Sequence, residues 1–419
     1  MILRASHSAS RLGDLDIPRP PGITFMLSLS RRLLTLALAT VLLMSLPTLP
    51  SPKILSAAEA DESGKIDVWI GTSSRKPSEG IYHCVLDTGN GKLTEPELAA
   101  KISGPGFLAL HPQQNHLYAV GKLDGVPSVV AYRIIHDAKQ PTLQLDNALP
   151  IGDGTAAHVA VDPTGKMLLT AQYGGGSVAA FSLHPDGSLN KATKLIKHEG
   201  GSRAVPGRQD ASHAHWVGFS PDNRFAFVPD LGLDKVVIYK IDPQNANLVF
   251  HGYGEVPAGG GPRHMKFHPN GKIIYVLNEL DLSVTVFDYN PDKGTMTAKQ
   301  TIPTIDPELL KKELFKSASE IRVHPSGKFV YSANRGHDTI TAFRVDENTG
   351  QLSVIEVEPV RGATPRNFNL DPSGRWLLAA GQDSHTLASF AVDTKTGELT
   401  YNRSNVTAPS AICVLFQPE

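Results

Sequence analysis

The chain reads MKFHPNGKIIYVL at residues 265–277, two apolar stretches joined by a Pro-Asn-Gly-Lys turn. Its flanks are rich in β-branched and aromatic residues, and Asn-Gly provides the positive φ that a tight hairpin requires. The pattern occurs six times, centred on Pro112, Pro163, Pro221, Pro269, Pro325 and Pro372. Units of about 50 residues that each begin with a hairpin are typical of a β-propeller.

The repeat predicts an all-β fold, a seven-bladed β-propeller with four-stranded antiparallel blades. Residues 61–419 divided among seven units give about 51 residues per unit, which matches the repeat. Six units carry the hairpin, and a seventh begins at Ile66 without its first strand. We expect the strand at 411–416 to complete that blade, so that the N- and C-terminal strands close the ring without an open edge. A two-sheet sandwich would not repeat one unit six times.

One unit shows the expected strands most clearly. Residues 265–268, 273–277, 283–289 and 296–302 are short β-rich runs separated by turns that contain Gly or Asn. The segment 307–314 departs from this pattern, because it has helical spacing and a proline at its start. We therefore predict a short helix inserted between the fifth and sixth blades.

Residues 1–60 are predicted to precede the propeller as a signal peptide and a mis-assigned or flexible start. Arg31 and Arg32 precede the apolar run 33–46, and Ala58-Glu59-Ala60 resembles a cleavage site, the pattern of a secretory signal. Met26 would begin a signal peptide of ordinary length. We expect export to the periplasm or cell envelope and no membrane association after cleavage. An uncleaved membrane anchor is the alternative.

Composition excludes some partners and leaves the cysteines open. A net charge of −1 gives no electrostatic reason to expect a nucleic-acid partner. Cys84 and Cys413 are the only cysteines, too far apart in sequence for a metal motif. In an oxidising compartment they are able to form a disulfide, and buried free thiols are the alternative. We expect a monomer.

Charged residues are predicted to meet at one mouth of the central channel. In a propeller, the loop before the first strand and the loop between the second and third strands lie on the same face. Counting from the repeat prolines therefore places several His, Arg and carboxylate side chains at that face, among them His215, Asp230, Arg263, His264, Glu279, Glu320, Arg335 and Arg366. Charges that meet in a cavity cost free energy unless they are paired or used.

The residue types at this mouth suggest acid/base chemistry on an anion. Arg263 and Arg335 are suited to hold a carboxylate or phosphate with two hydrogen bonds each. Glu279 or Glu320 is a candidate base, and His213 or His215 a candidate proton donor or oxyanion partner. No cysteine or serine nucleophile is evident. We predict no cofactor and no metal, although the alternation in His213-Ala214-His215 leaves a metal as an alternative.

The motifs resemble those of the seven-bladed β-propeller lactonase family, which includes bacterial 6-phosphogluconolactonases and is similar to fungal muconate-lactonising enzymes. The resemblance extends over nearly all of 61–419. It rests on segments such as His213-Ala214-His215, Gly261-Pro262-Arg263-His264, Asn278-Glu279-Leu280 and Asn334-Arg335-Gly336. It implies that His215 (or His213), Arg263, Glu279 and Arg335 form the catalytic site, and we take His215 as the histidine. We add His213, Asp230, His264, Glu320 and Arg366 as substrate-binding residues.

Two functions follow as hypotheses. The first is a lactone hydrolase that opens a sugar-acid or related anionic lactone, a small-molecule substrate, with Glu279 as base. The second is a non-catalytic exported propeller that acts as a binding or scaffold module, because a fold alone does not assign chemistry. The predicted export departs from the cytosolic location of a sugar-phosphate lactone, so the family resemblance does not fix the substrate.

Overall fold

A computed structural model of the protein describes residues 64–113, 116–136 and 141–417. The predicted signal segment 1–60 lies outside these residues. Within them the chain forms seven four-stranded antiparallel sheets, each built from strands that are neighbours in sequence except at the closure. These sheets are the blades of a β-propeller, and the predicted fold is confirmed.

Each blade runs from an inner strand to an outer strand, and the strands are numbered in chain order. Blade 1 contains β28 (Ala411–Gln417), β1 (Lys65–Thr72), β2 (Gly80–Asp87) and β3 (Glu97–Lys101). Blade 2 contains β4 (Ser103–Leu110), β5 (His116–Leu123), β6 (Val126–Ile135) and β7 (Thr142–Pro150). Blade 3 contains β8 (His158–Val161), β9 (Met167–Gln172), β10 (Ser177–Leu183) and β11 (Leu189–Lys197). Blade 4 contains β12 (Gly218–Phe219), β13 (Phe225–Asp230), β14 (Lys235–Asp242) and β15 (Asn247–Glu255).

The remaining blades follow the same order. Blade 5 contains β16 (Pro262–Phe267), β17 (Ile273–Asn278), β18 (Ser283–Asn290) and β19 (Thr295–Pro303). Blade 6 contains β20 (Ser317–Val323), β21 (Phe329–Arg335), β22 (Thr339–Val345) and β23 (Leu352–Pro359). Blade 7 contains β24 (Pro365–Leu370), β25 (Trp376–Gly381), β26 (Thr386–Val392) and β27 (Leu399–Thr407).

Blade 1 closes the ring as the sequence predicts. The C-terminal strand β28 pairs antiparallel with β1, with Val68 opposite Phe416 and Ile70 opposite Val414. Both chain ends therefore contribute to one sheet, and β1 has no open edge. Cys84 and Cys413 are free, buried thiols in two different apolar clusters, so the structure favours the unbridged alternative.

The repeated His-Pro-x-Gly turns bind neighbouring blades to each other. The His268 ring lies 3.0 Å from the Gly327 carbonyl oxygen, and the His324 ring lies 3.0 Å from that of Gly374, in each case in the hairpin of the next blade. The second strand adds a similar contact, since the Tyr275 hydroxyl donates to the Gly350 carbonyl. The motif therefore encodes contacts between blades as well as the turn itself.

The predicted insertion between blades 5 and 6 is helical but shorter than expected. The helix α1 spans Pro307–Leu310, one turn, and the Asp306 side chain caps it by accepting from the Glu308 amide at 2.8 Å. The continuation 311–314 does not keep helical structure beyond the turn. In the described ranges, no helix is long and apolar enough to cross a membrane.

Candidate active site

Two arginines enter the channel mouth from irregular positions at the start of inner strands. The ladder between β16 and β17 shifts register between Pro262 and His264, which leaves Arg263 unpaired at a β-bulge. The ladder between β24 and β25 shifts in the same way around Arg366. A bulge adds one residue to a strand and re-aims its side chain. Both guanidinium groups are therefore placed by a local break in strand alternation.

A buried carboxylate holds the two loops that flank this mouth. Asp234 accepts hydrogen bonds from the amides of Gly259 and Gly261, both at 2.8 Å, in the loop that leads into Arg263. It also accepts from the Gln209 side-chain amide at 2.6 Å, in the long loop that carries Arg208. Gly261 has φ +66°, and a Cβ there would meet the Leu280 side chain. Asp234 thus fixes the loops of Arg208 and Arg263 together.

Glu279 lies at the centre of the mouth and interacts with three arginines. Its Oε1 accepts a hydrogen bond from Arg208 at 2.7 Å. Its Oε2 forms ion pairs with Arg263 Nε at 2.9 Å and Arg335 at 3.3 Å, without the alignment of full hydrogen bonds. Burial would raise the pKa of Glu279, but Arg335, Arg263 and the other nearby cations outweigh it and hold that pKa well below the ordinary value. Glu279 is therefore ionised and weakly basic.

The mouth carries more positive than negative charge. Burial and Arg335 lower the pKa of Arg263, but a guanidinium paired with Glu279 keeps its proton at neutral pH. Burial and Arg335 also lower the pKa of Arg366, to about 10, so this residue is charged as well. Arg366 has no hydrogen bond or ion pair within the described chain. Four guanidinium groups thus surround one carboxylate, an arrangement that favours an anionic ligand.

His215 is a buried, neutral imidazole at this mouth and a candidate proton acceptor. It is 5% exposed, and its main-chain amide is fixed by the Pro229 carbonyl at 3.0 Å. Burial, Arg263 and His264 lower its pKa well below the ordinary value for histidine, so the imidazole is neutral at neutral pH. Its Nδ1 is buried and has no hydrogen-bond partner among the described residues. A neutral imidazole with an unused nitrogen is able to accept a proton.

An aromatic pair lies beside His215. The rings of Tyr173 and His213 stack with centroids 4.5 Å apart, and the rings of Tyr173 and His215 form a T-shaped pair with centroids 5.4 Å apart. The His213 ring is fixed by a 2.9 Å contact between its Nδ1 and the Tyr173 carbonyl oxygen. The Tyr173 hydroxyl is 3.5 Å from Arg208. This pair offers a flat, partly exposed surface next to the arginines.

A second layer of side chains lies beneath the mouth and is fully buried. His264 Nδ1 lies 3.1 Å from Glu320 Oε1, and Asn367 donates to Glu320 Oε2. The Ile321 amide donates to the same carboxylate at 3.0 Å, and the Asn367 carbonyl oxygen accepts from the Val414 amide at 2.8 Å. His264, Glu320 and Asn367 have no exposed surface. His264 and Glu320 therefore lie below the mouth and contact internal partners, and their predicted contacts with a substrate stay a prediction.

Asp230 likewise lies below the surface of the mouth. Its carboxylate is fully buried, 2.6 Å from His198 Nδ1, and accepts from the amides of His213 and Gly232 at 2.7 and 3.1 Å. All of these contacts are internal, so Asp230 shapes the His213 loop, and its predicted contact with a substrate stays a prediction. The end of β13 turns its last side chain into the protein, which counting from the proline did not reveal.

The structure brings six of the nine predicted residues to the mouth: His213, His215, Arg263, Glu279, Arg335 and Arg366. Sequence reasoning missed Arg208 as a site residue. It precedes the His213-Ala214-His215 segment by only five residues, and this proximity indicates that its loop lies near the mouth. Among the described residues, no group of three His, Cys, Asp or Glu is arranged to hold a metal ion.

Comparisons with known proteins agree with the propeller fold. A family model described as "Lactonase, 7-bladed beta-propeller" matches residues 67–416. The 6-phosphogluconolactonase of Bacillus subtilis is 36% identical over 348 residues, which cover 83% of this chain and 97% of that protein. A second 6-phosphogluconolactonase, from Formosa agariphila, is 33% identical over 312 residues, 73% of this chain and 86% of its own length.

A solved structure is similar throughout the propeller. The periplasmic gluconolactonase of Pseudomonas aeruginosa has a TM-score of 0.77 and 29% identity, covering 84% of this chain and 99% of that one. The family model spans most of the sequence, and the Bacillus subtilis relative is matched along nearly its whole length. The chain therefore belongs to the seven-bladed β-propeller lactonase family.

Proposed function

We propose that this protein is a lactonase that hydrolyses an anionic lactone at the arginine-rich mouth of the propeller. The observation that carries the proposal is the cluster of Arg208, Arg263, Arg335 and Arg366 around Glu279, next to neutral His215. The surplus of positive charge attracts an anionic substrate, and the neutral imidazole supplies a base. The names of the relatives, 6-phosphogluconolactonase and gluconolactonase, support a lactone as the substrate.

In the proposed reaction, His215 removes a proton from the attacking water. The water oxygen then bonds to the lactone carbonyl carbon, and the developing oxyanion is stabilised by guanidinium groups of the cluster. Collapse of this intermediate breaks the ring C–O bond, and the imidazolium returns the proton to the leaving hydroxyl. The products are the open hydroxy acid and unchanged enzyme.

This proposal assigns Glu279 a positioning role instead of the base role expected from sequence. Both of its oxygens face guanidinium groups, and these cations depress its pKa, which makes it a poor proton acceptor. Its charge holds Arg208, Arg263 and Arg335 together near one point. An anionic substrate that approaches the cluster would offset the cations that lower the pKa of His215, and would thereby make the imidazole more basic.

We further propose that the substrate is encountered outside the cytoplasm. The basic and apolar segment before residue 61 supports this, as does the likeness to a periplasmic gluconolactonase. The substrate is then a lactone of an acidic sugar or of a related hydroxy acid that carries a second anionic group. The carbohydrate class follows from the names of the relatives, and the anionic class from the arginines.

The test is to assay residues 61–419 against 6-phosphogluconolactone and gluconolactone, in parallel with the spontaneous hydrolysis of each. We expect hydrolysis above background, with a higher kcat/KM for the phosphorylated lactone because of its charge. Equal kcat/KM values would contradict the anionic preference and leave the lactonase assignment intact. Binding of the open acid without any turnover of either lactone would instead favour the non-catalytic binding module.

A further inference from the structure

The opposite end of the channel contains a second cavity that the proposed reaction does not use. It has a volume of about 310 Å³ and lies between the hairpin turns of blades 6 and 7, next to the inner strand of blade 5. Its lining includes two cationic residues, Lys266 and Arg322, and the apolar residues Phe267, Leu370 and Phe416. Lys266 lies three residues after Arg263 on β16, about 10 Å further along the strand. The cavity is therefore separate from the mouth.

Lys266 is a cation without a counter-ion. In the described part of the chain its amine makes no hydrogen bond and no ion pair, and it lies over the face of Trp216, 4.9 Å from the ring centroid. Burial and the nearby Arg322 lower the pKa of Lys266 to about 7, although Glu320 opposes them. The amine therefore loses its proton more readily than that of an ordinary lysine.

The carboxylates near Lys266 are already engaged. Glu320 is bonded to His264, Asn367 and the Ile321 amide, and it also faces Arg322 at 3.5 Å. Asp371, in the cavity wall, accepts from the Trp376 amide at 2.7 Å and from Ser373. The other titratable groups that face Lys266 are His158, His264 and the Cys413 thiol, and burial keeps these three neutral. Glu320 thus pairs with Arg322, whereas no carboxylate among the described residues forms an ion pair with Lys266.

We propose that this lower cavity binds a small organic carboxylate, whose charged group faces Lys266 and Arg322 and whose apolar body lies against Phe267, Leu370 and Phe416. The apolar wall distinguishes such a ligand from inorganic phosphate, which has no apolar part. A bound carboxylate pairs with the Lys266 amine and favours its charged form, so that binding is accompanied by proton uptake. The proposal is independent of the lactonase reaction.

The experiment uses benzoate as the probe and residues 61–419 as the protein. Titration calorimetry in two buffers of different ionisation enthalpy reports both affinity and proton uptake at neutral pH. We expect benzoate to bind with uptake of a fraction of a proton, and benzamide, its neutral analogue, to bind at least about tenfold more weakly. Lys266→Met should weaken benzoate binding by about tenfold or more and abolish the proton uptake. Lys272→Met, which changes an exposed lysine on the same hairpin, is the matched control and should bind as the unchanged protein does.

A second measurement does not depend on a variant. The titration of the Lys266 side chain, followed by NMR of ¹³Cε-labelled lysine, should give a pKa near 7 that rises when benzoate is added. Benzoate binding that persists in Lys266→Met would belong to the upper arginine cluster and would overturn the proposal. Equal binding of benzamide, or binding of inorganic phosphate without benzoate, would also overturn it.

Discussion

Glu279 and Glu320 are buried carboxylates in adjacent blades, and sequence reasoning grouped them as alternative bases. Glu279 lies in the mouth layer and is contacted by three guanidinium groups, with a fourth nearby. Glu320 lies in the layer below and is bonded to a neutral imidazole, an amide and a main-chain N–H, with Arg322 at the limit of contact. The first has more cationic partners than it can neutralise, whereas the second has its hydrogen-bonding capacity filled.

This difference shows how a ligand site can be recognised inside a propeller channel. The number of charged residues does not distinguish the two layers, since each contains a carboxylate and a histidine. The mouth layer differs in the number of guanidinium groups around its carboxylate. A buried imidazole nitrogen without a partner among the described residues occurs in both layers, at His215 Nδ1 and His264 Nε2. Buried positive charge without a counter-ion destabilises the folded protein. A functional site retains this charge because a bound anionic ligand offsets the destabilisation.

The largest expected effect separates the two histidines. His215→Gln should lower kcat for the preferred lactone by about 10²-fold or more, because it removes the proposed general base. His264→Gln, which changes the buried imidazole next to it, should alter stability but leave kcat within about tenfold. Steady-state kinetics and thermal unfolding of both variants make the comparison. If the two variants lose equal activity, the layers do not differ in function and His215 is not the base.

The two carboxylates provide the next test. Glu279→Gln removes the carboxylate around which a buried cation cluster is built, and should destabilise the protein by about 3–5 kcal/mol. Phosphate, which replaces the missing negative charge, should restore part of that stability. Glu320→Gln should destabilise the protein by about 1–3 kcal/mol, because the NH₂ group of the new glutamine would face hydrogen-bond donors. Phosphate should not restore this stability. Thermal unfolding with and without phosphate decides this, and rescue of Glu320→Gln to the same degree would contradict the assignment of the layers.

The sequence predicts the fold well and the site only in part, and the reason lies in the strand geometry. The hairpin motif fixes blade number, strand boundaries and the mouth position of Glu279, because each is local or set by the repeat. Bulges at Arg263 and Arg366 decide which of two adjacent residues faces the mouth. A bulge is a shift in the pairing of two strands, so it becomes visible only in the folded sheet. Arg208 is 71 residues from its partner Glu279, and the buried Gln209–Asp234 contact that positions its loop has no local signature.

A smaller effect is expected for the arginine without a partner. Arg366→Gln should raise KM for an anionic lactone by about tenfold and change kcat little, since it removes attraction for the substrate's charge. For an uncharged lactone KM should be nearly unchanged. Stability should not fall, because the guanidinium is largely desolvated and unpaired in the free protein. A loss of kcat equal for both substrates would show that Arg366 acts on the reacting atoms instead.

The smallest expected effect is a difference between two pH profiles. Burial, Arg263 and His264 lower the pKa of His215, and Arg366 adds to this. The neutral imidazole is the base, so kcat/KM, which reports the free enzyme, should decline on the acid side only well below the ordinary histidine value of about 6.5.

A bound anion partly offsets the arginines and raises the pKa of His215. The acid limb of kcat should therefore lie at higher pH than that of kcat/KM. Arg366→Gln should move the acid limb of kcat/KM upward as well, because it removes one of the cations that lower this pKa. An acid limb of kcat/KM at or above the ordinary histidine value would show that His215 is not under the influence of the arginine cluster, and the base would then have to be sought outside the mouth layer.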